Sequence, residues 1–164
     1  MDRLWTPWRF QYVTGETGEK DKVKDAPCVF CALRDDREDE RRYVVHRAQH
    51  NFLVLNLYPY TSGHLLVVPY EHTSELDAAS KETTDELMEL AKRAQTVLRE
   101  TYRPDGFNLG MNLGHTAGAG VAGHIHLHVL PRWAGDGNFM STVGETRVLP
   151  EDLKTTYERL RGKF

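Results

Sequence analysis

Short apolar stretches bounded by turn residues, and one long amphipathic stretch, set the plan of this chain. Residues 43–46 (Tyr-Val-Val-His), 52–57 (Phe-Leu-Val-Leu-Asn-Leu) and 64–69 (His-Leu-Leu-Val-Val-Pro) are brief, rich in β-branched and large apolar side chains, and separated by Pro59, Thr61, Ser62 and Gly63. Such runs predict strands joined by tight connections, an antiparallel meander. Leu87, Leu90, Ala91, Ala94, Val97 and Leu98 then recur at helical spacing, predicting a long helix opened by a Thr83–Glu86 capping box and stopped at Pro104-Asp-Gly106. Alternation returns at 107–113, with Phe107, Leu109, Met111 and Leu113 expected inward and Asn108, Gly110 and Asn112 on the other face. It returns again in Gly123-His-Ile-His-Leu-His-Val-Leu-Pro-Arg-Trp133, where His124, His126 and His128 share one strand face and Ile125, Leu127 and Val129 the other. Acidic residues after Pro150 predict a short C-terminal helix carrying Leu153, Tyr157 and Leu160. The order strand, strand, strand, helix, strand, strand predicts an α+β fold: one five-stranded antiparallel sheet, one long helix and a short C-terminal helix.

At 164 residues the chain is expected to form a single domain. Within it we expect an aromatic N-terminal arm and polar loop over 1–26, a catalytic core over 27–133 and a C-terminal extension over 134–164. Hydrophobic content of 40%, charged content of 27% and a net charge of −3 give no broad attraction to nucleic acid or to anionic membranes. No apolar run approaches the roughly 20 residues of a membrane span. Met1-Asp-Arg-Leu-Trp5 lacks the basic-then-apolar pattern of a signal peptide. The expectation is a cytoplasmic protein, no nucleic-acid or membrane partner, and reduced thiols at Cys28 and Cys31, whose two-residue gap suits a metal clip.

Three imidazoles in register can bind a metal or divide the work of a nucleophile and its helpers. A neutral imidazole attacks phosphorus without a separate base, since its ordinary pKa near 6.5 leaves most of it unprotonated at pH 7. A single metal is poorly served by ligands at i, i+2 and i+4 of one strand, because alternate residues lie about 6.5–7 Å apart. Before the histidines, the loop 115–123 carries Gly118, Ala119, Gly120 and Val121. Its backbone N–H groups, together with the amide of Asn112, are candidates to bind phosphate oxygens and the charge that develops in transfer.

His124-Ile-His126-Leu-His128-Val-Leu130 resembles the signature of the histidine-triad (HIT) family of nucleotide hydrolases and transferases. Pro131-Arg132-Trp133, Asp136, Asn138-Phe139 and the opening Arg3-Leu-Trp5-Thr-Pro7-Trp8-Arg9 are similar to its diadenosine tetraphosphate phosphorylase-like branch. The resemblance implies the same sheet, usually dimerised as a homodimer, and a nucleotide substrate, in the first instance an adenine nucleotide. It implies that His126 attacks the α-phosphorus to give a covalent nucleotidyl-imidazole, broken by water or by inorganic phosphate as acceptor. It places His128 on the phosphate oxygens or on the nucleophile's orientation, Asn56 on the ribose and His64 near the active site, and makes Leu55, Leu57 and Leu66 candidates to line a purine pocket. It also implies a closed, structural zinc site of Cys28, Cys31, His72 and His124. Where family members carry side-chain donors just before the triad, this chain has Gly120 and Val121, so backbone donors or His115 must substitute. Phosphorolysis of diadenosine polyphosphates is the leading reading. Hydrolysis of such compounds or of adenosine phosphoramidates is the alternative within the family, and a zinc-stabilised nucleotide-binding protein with little turnover is the alternative outside enzymes.

Overall fold

The computed structural model describes residues 28–144, 146 and 148–164; the N-terminal aromatic arm lies outside the described residues. Two short helices come first, α1 (Val29–Asp35) and α2 (Asp39–Arg42), then β1 (Val44–Arg47), β2 (Asn51–Leu55) and β3 (Leu65–Pro69). A 22-residue helix α3 (Lys81–Tyr102) leads to β4 (Gly106–Gly110) and β5 (Leu127–Arg132), followed by α4 (Phe139–Thr142) and α5 (Leu153–Leu160). The five strands form one antiparallel sheet in the order β1-β2-β3-β5-β4. This is the expected α+β architecture, with the meander intact and β5 inserted between β3 and β4. Among the described residues no helix is long and apolar enough to cross a membrane.

Strand alternation sorts the side chains into two layers. Leu53, Leu55, Leu65, Val67, Leu127 and Val129 meet Leu87, Leu90, Ala91, Ala94, Val97 and Leu98 of α3 in the main core. Tyr157 and Leu160 of α5 close the same core, so the C-terminal helix is part of it. Val44, Phe52, Val54, Leu66 and Val68 face the opposite way and pack beneath Phe30 of α1, leaving the rest of that face for the histidines. The Leu55 expected in a purine pocket is therefore buried under α3, Leu57 is exposed, and only Leu66 is on the histidine face.

Two local expectations are corrected. Helix α3 starts one turn early: Ser80 is the N-cap and accepts from the Thr83 N–H. Glu86 is thus freed from a capping box and its carboxylate accepts from the backbone N–H groups of Gln49 and His50 and from the amide of Asn51, pinning the β1–β2 turn to α3. Of the four apolar residues expected inward at 107–113, Phe107 and Met111 pack on the core, but Leu109 in β4 and Leu113 past its end are 40% and 41% exposed, and β4 is an edge strand. The Arg47 guanidinium donates to the carbonyls of Leu33 and Asp36 and to the Asp39 carboxylate, tying both small helices to β1.

Candidate active site

Of the three triad histidines only His128 lies within β5; His124, in a bend, and His126 sit in the irregular stretch just before it. The ladder with β3 ends at Leu127↔Val67. Pro69, at the end of β3, has no N–H to carry it on, and its carbonyl is taken by a side chain, His124 Nε2 at 2.9 Å. Side-chain alternation nevertheless persists: Leu127 and Val129 enter the main core, whereas Phe30 packs on both His124 and His126, and the His126 ring lies beside His128.

Hydrogen bonds fix the tautomer of each imidazole. His124 Nε2 meets a carbonyl and must carry the proton, which leaves Nδ1 as a lone pair. His126 Nδ1 meets the carbonyl of His124 at 2.9 Å, so it is the protonated nitrogen and Nε2 is the lone pair. His128 is set by a longer chain. The Asn56 carbonyl oxygen accepts from the Tyr58 N–H, which fixes its amide orientation and leaves Nδ2 to donate to His64 Nδ1 at 3.3 Å. The Tyr60 N–H donates to the same nitrogen at 3.2 Å. His64 therefore carries its proton on Nε2 and donates it to His128 Nδ1 at 2.9 Å. His128 is left with Nε2–H, which is buried and has no hydrogen-bond partner among the described residues. A buried unpaired donor is costly, by about 1–3 kcal/mol, and here it sits beside the His126 ring, whose centroid is 5.0 Å away.

Burial pushes His128 down to about 4, with the neighbouring His126 acting in the same direction. His126 is lowered by burial as well, against the carbonyl of His124 that favours its charged form. Both rings are therefore neutral at pH 7, which suits one lone pair for attack and one N–H for donation.

The other end of the run builds a four-donor cluster. Cys28 Sγ is 3.4 Å and Cys31 Sγ 3.8 Å from His124 Nδ1, His72 Nδ1 is 3.2 Å from the same atom, and Cys31 Sγ is 3.2 Å from His72 Nδ1. All four donor atoms lie within 4.8 Å of one another. A tetrahedron with Zn–N near 2.0–2.1 Å and Zn–S near 2.3 Å has N–N edges of about 3.3 Å and S–N edges of about 3.5 Å. Two thiols and two imidazoles at these separations fit a closed structural zinc site, and His124 faces it with the lone-pair nitrogen that the Pro69 carbonyl selects. The alternative of one metal held by all three triad histidines does not fit, since His126 and His128 point their nitrogens elsewhere.

The remaining expected residues fall around this pair of centres. Asn56 lies beside His64 at the end of β2. His64 is 1% exposed and reaches the site through His128, not directly. Asn112 is half-buried just past β4, with no side-chain partner among the described residues. Gly118 turns the loop with φ +87°, Ala119 is buried, Gly120 is exposed and Val121 packs against the Phe30 layer. Among the described residues the N–H groups of Gly120, Val121 and Gly123 have no hydrogen-bond partner, as an anion-binding loop requires. At the end of β5, Arg132 forms a two-pronged pair with Asp136 at 2.6 and 2.7 Å and donates to Asn108.

Two contributors have no signal in the sequence pattern. Phe30 packs on both His124 and His126, at 5.4 and 4.9 Å between centroids. Tyr60 lies nearly parallel to the His128 ring, 12° and 6.1 Å away. Both belong to segments that approach the triad only in three dimensions.

Comparison with known proteins agrees with this geometry. The HIT domain matches residues 37–135. The chain is 41% identical over 165 residues to an AP-4-A phosphorylase of Mycobacterium tuberculosis, covering all of this chain and 85% of that one. Among solved structures, a zinc-bound histidine triad family protein from Mycobacterium smegmatis superposes with a TM-score of 0.67 at 30% identity, over 83% of this chain and 91% of that one. A histidine triad nucleotide-binding protein from Sulfolobus tokodaii gives 0.65 at 27%, again over 83% and 91%. With its three imidazoles gathered on one sheet face, the middle one protonated on Nδ1 and its two neighbours on Nε2, this chain belongs to the HIT, or histidine-triad, family.

Proposed function

We propose that this protein is a nucleotidyltransferase that cleaves adenosine polyphosphates, of the diadenosine tetraphosphate kind, at the α-phosphorus through a covalent nucleotidyl-His126 intermediate, with inorganic phosphate as acceptor. The observation that carries the reading is the tautomer pair: a lone pair on His126 Nε2 beside an unpartnered His128 Nε2–H. The His126 lone pair forms the N–P bond while the bond from the α-phosphorus to the bridging oxygen breaks. His128 Nε2–H hydrogen-bonds the oxygen on which charge collects, and ATP leaves. Phosphate then attacks the same phosphorus, the N–P bond breaks, and ADP leaves with His126 restored. Diadenosine tetraphosphate plus phosphate thus yields ATP plus ADP, whereas water as acceptor would yield ATP plus AMP.

The identity to an AP-4-A phosphorylase over the whole chain supports the substrate class. Asn56 serves the ribose, and Asn112 with the loop Gly118, Ala119, Gly120 and Val121 serves the phosphate oxygens. Zinc on Cys28, Cys31, His72 and His124 supplies a cross-link, not Lewis-acid chemistry, because all four positions are closed. A homodimer in the cytoplasm completes the reading; the open edge of β4, with Leu109 and Leu113 exposed beside it, is where a second copy has surface to cover.

The test is incubation with labelled diadenosine tetraphosphate with and without phosphate. Acid-labile adenylate on the protein and phosphate-dependent ADP are expected, and His126→Ala loses both, with kcat down by on the order of 10⁴-fold or more. AMP formed without phosphate makes the enzyme a hydrolase; an active His126→Ala protein overturns the nucleophile.

A further inference from the structure

The chemistry at His126 leaves unused a cavity of about 550 Å³ at the end of the sheet, where β5 runs out. Its size is within the range of small-molecule sites. Tyr60, Thr61 and Ser62 of the β2–β3 loop form one side; Trp133, Gly137 and Val148 form part of the other.

Its charges are already spent. Arg132 is held by Asp136 and Asn108. Glu151 accepts from Tyr102 and Thr156 and pairs with Arg159 at 2.8 Å. A cavity whose ionic groups are neutralised this way does not select a phosphate. Its open demands are of another kind. The hydroxyls of Thr61 and Ser62 are buried without a hydrogen-bond partner among the described residues, and Thr61 as a whole is only 9% exposed. A step between staggered χ1 wells re-aims a hydroxyl of this size toward a ligand. Tyr60 and Trp133 add aromatic faces. Aromatic faces with neutral donors and acceptors match a nucleoside: a base to stack, and a base edge or ribose to hydrogen-bond.

The cavity adjoins the triad. The Tyr60 ring that lines it is the same ring that lies parallel to His128. Arg132, on its wall, is four residues beyond His128 along β5, a distance of roughly 13 Å. From these observations we infer that the cavity receives the far nucleoside of a dinucleoside polyphosphate, the one whose own phosphate is not attacked, with the polyphosphate chain spanning from the triad past Tyr60. The inference rests on the adenylyl-transfer reading and sharpens it: the enzyme is built for substrates with a nucleoside at both ends.

Equilibrium binding to the non-reacting His126→Ala protein and steady-state kinetics of the active enzyme test it with two probes, diadenosine tetraphosphate and adenosine tetraphosphate, which lacks the second nucleoside. The diadenosine compound is expected to bind roughly tenfold or more tightly, the gain that stacking one base supplies. Val148→Trp places a large ring in the cavity from a residue that is 64% exposed and so leaves the core intact. Gly137→Trp does so from a backbone position whose added Cβ meets nothing within 4 Å. Either variant is expected to erase the preference, raising KM for the diadenosine compound about tenfold more than for adenosine tetraphosphate. Equal affinity for the two probes, failure of both to bind, or a preference that survives both variants overturns the inference. Failure of the adenylyl-transfer reading is separate: it shows as no labelled adenylate on the wild-type protein with either probe, whatever the binding ratio.

Discussion

Removing the metal is the perturbation whose size the structure sets best. The four donors join Cys28 and Cys31 to His124 across 96 and 93 positions of sequence, and Cys31 to His72 across 41. Treated as a single cross-link closing a loop of that greater length, the site reduces the entropy of the unfolded chain by an amount worth about 4–5 kcal/mol at 25 °C. The binding free energies of structural zinc in small peptides, about 10–16 kcal/mol, set the ceiling. For a chain of this size each kcal/mol moves Tm by about 2–4 °C, so the cross-link alone predicts a fall of about 10–20 °C on full metal removal. The assay is a thermal melt of the zinc-loaded and chelator-treated protein, with metal content measured on the same samples. Activity at a temperature where both forms are folded should fall too, because the His124 carbonyl that sets the tautomer of His126 belongs to a zinc ligand. Metal-free protein melting within about 3 °C of the zinc-loaded form would refute the cross-link, as would a Cys28→Ser protein that keeps stoichiometric zinc.

Acid should weaken the fold through His128. Its native value of about 4 lies below the ordinary 6.5, so between those values the unfolded chain holds more protons than the native one, and stability falls as pH drops from 6.5 to 4 and levels off below. Urea midpoints at pH 7.5, 6 and 5 should show a shallower decline for His128→Gln than for the wild type; equal slopes would remove His128 from the account. Gly63→Ala should cost about 2–4 kcal/mol, since the backbone there has φ +76° and the added Cβ would stand 2.9 Å from Leu98 Cδ2 in the core. Because the next residue is His64, the variant should also lose turnover per folded molecule; a change of under 1 kcal/mol in urea would show that the loop shifts freely.

Much of the fold was legible because β1 to β3 are short apolar runs bounded by turn residues, the stretches that form β4 and β5 repeat at period two and the long helix at period 3.6, and burial rewards those patterns locally. Boundaries were less so. Thr83 and Glu86 satisfy the spacing of a capping box, but Ser80 wins the cap and Glu86 reaches across to Gln49, His50 and Asn51, partners that no window along the chain contains. Likewise Leu109 and Leu113 alternate correctly, yet β4 falls at the sheet edge, and an edge is a property of strand order.

The sequence by itself determined the alternation that puts three imidazoles on one face, the cysteine pair and the glycine-rich loop before the triad. It could not make the histidines inequivalent, because an isolated imidazole exchanges its two tautomers at almost no cost. Only the tertiary structure breaks that symmetry. The Pro69 carbonyl aims His124 at the cysteines, the His124 carbonyl frees Nε2 of His126, and the Asn56–His64 chain leaves His128 with a buried proton to give. Each of these choices is a hydrogen bond made in a site that excludes water, where an unmet donor or acceptor is too costly to leave to chance.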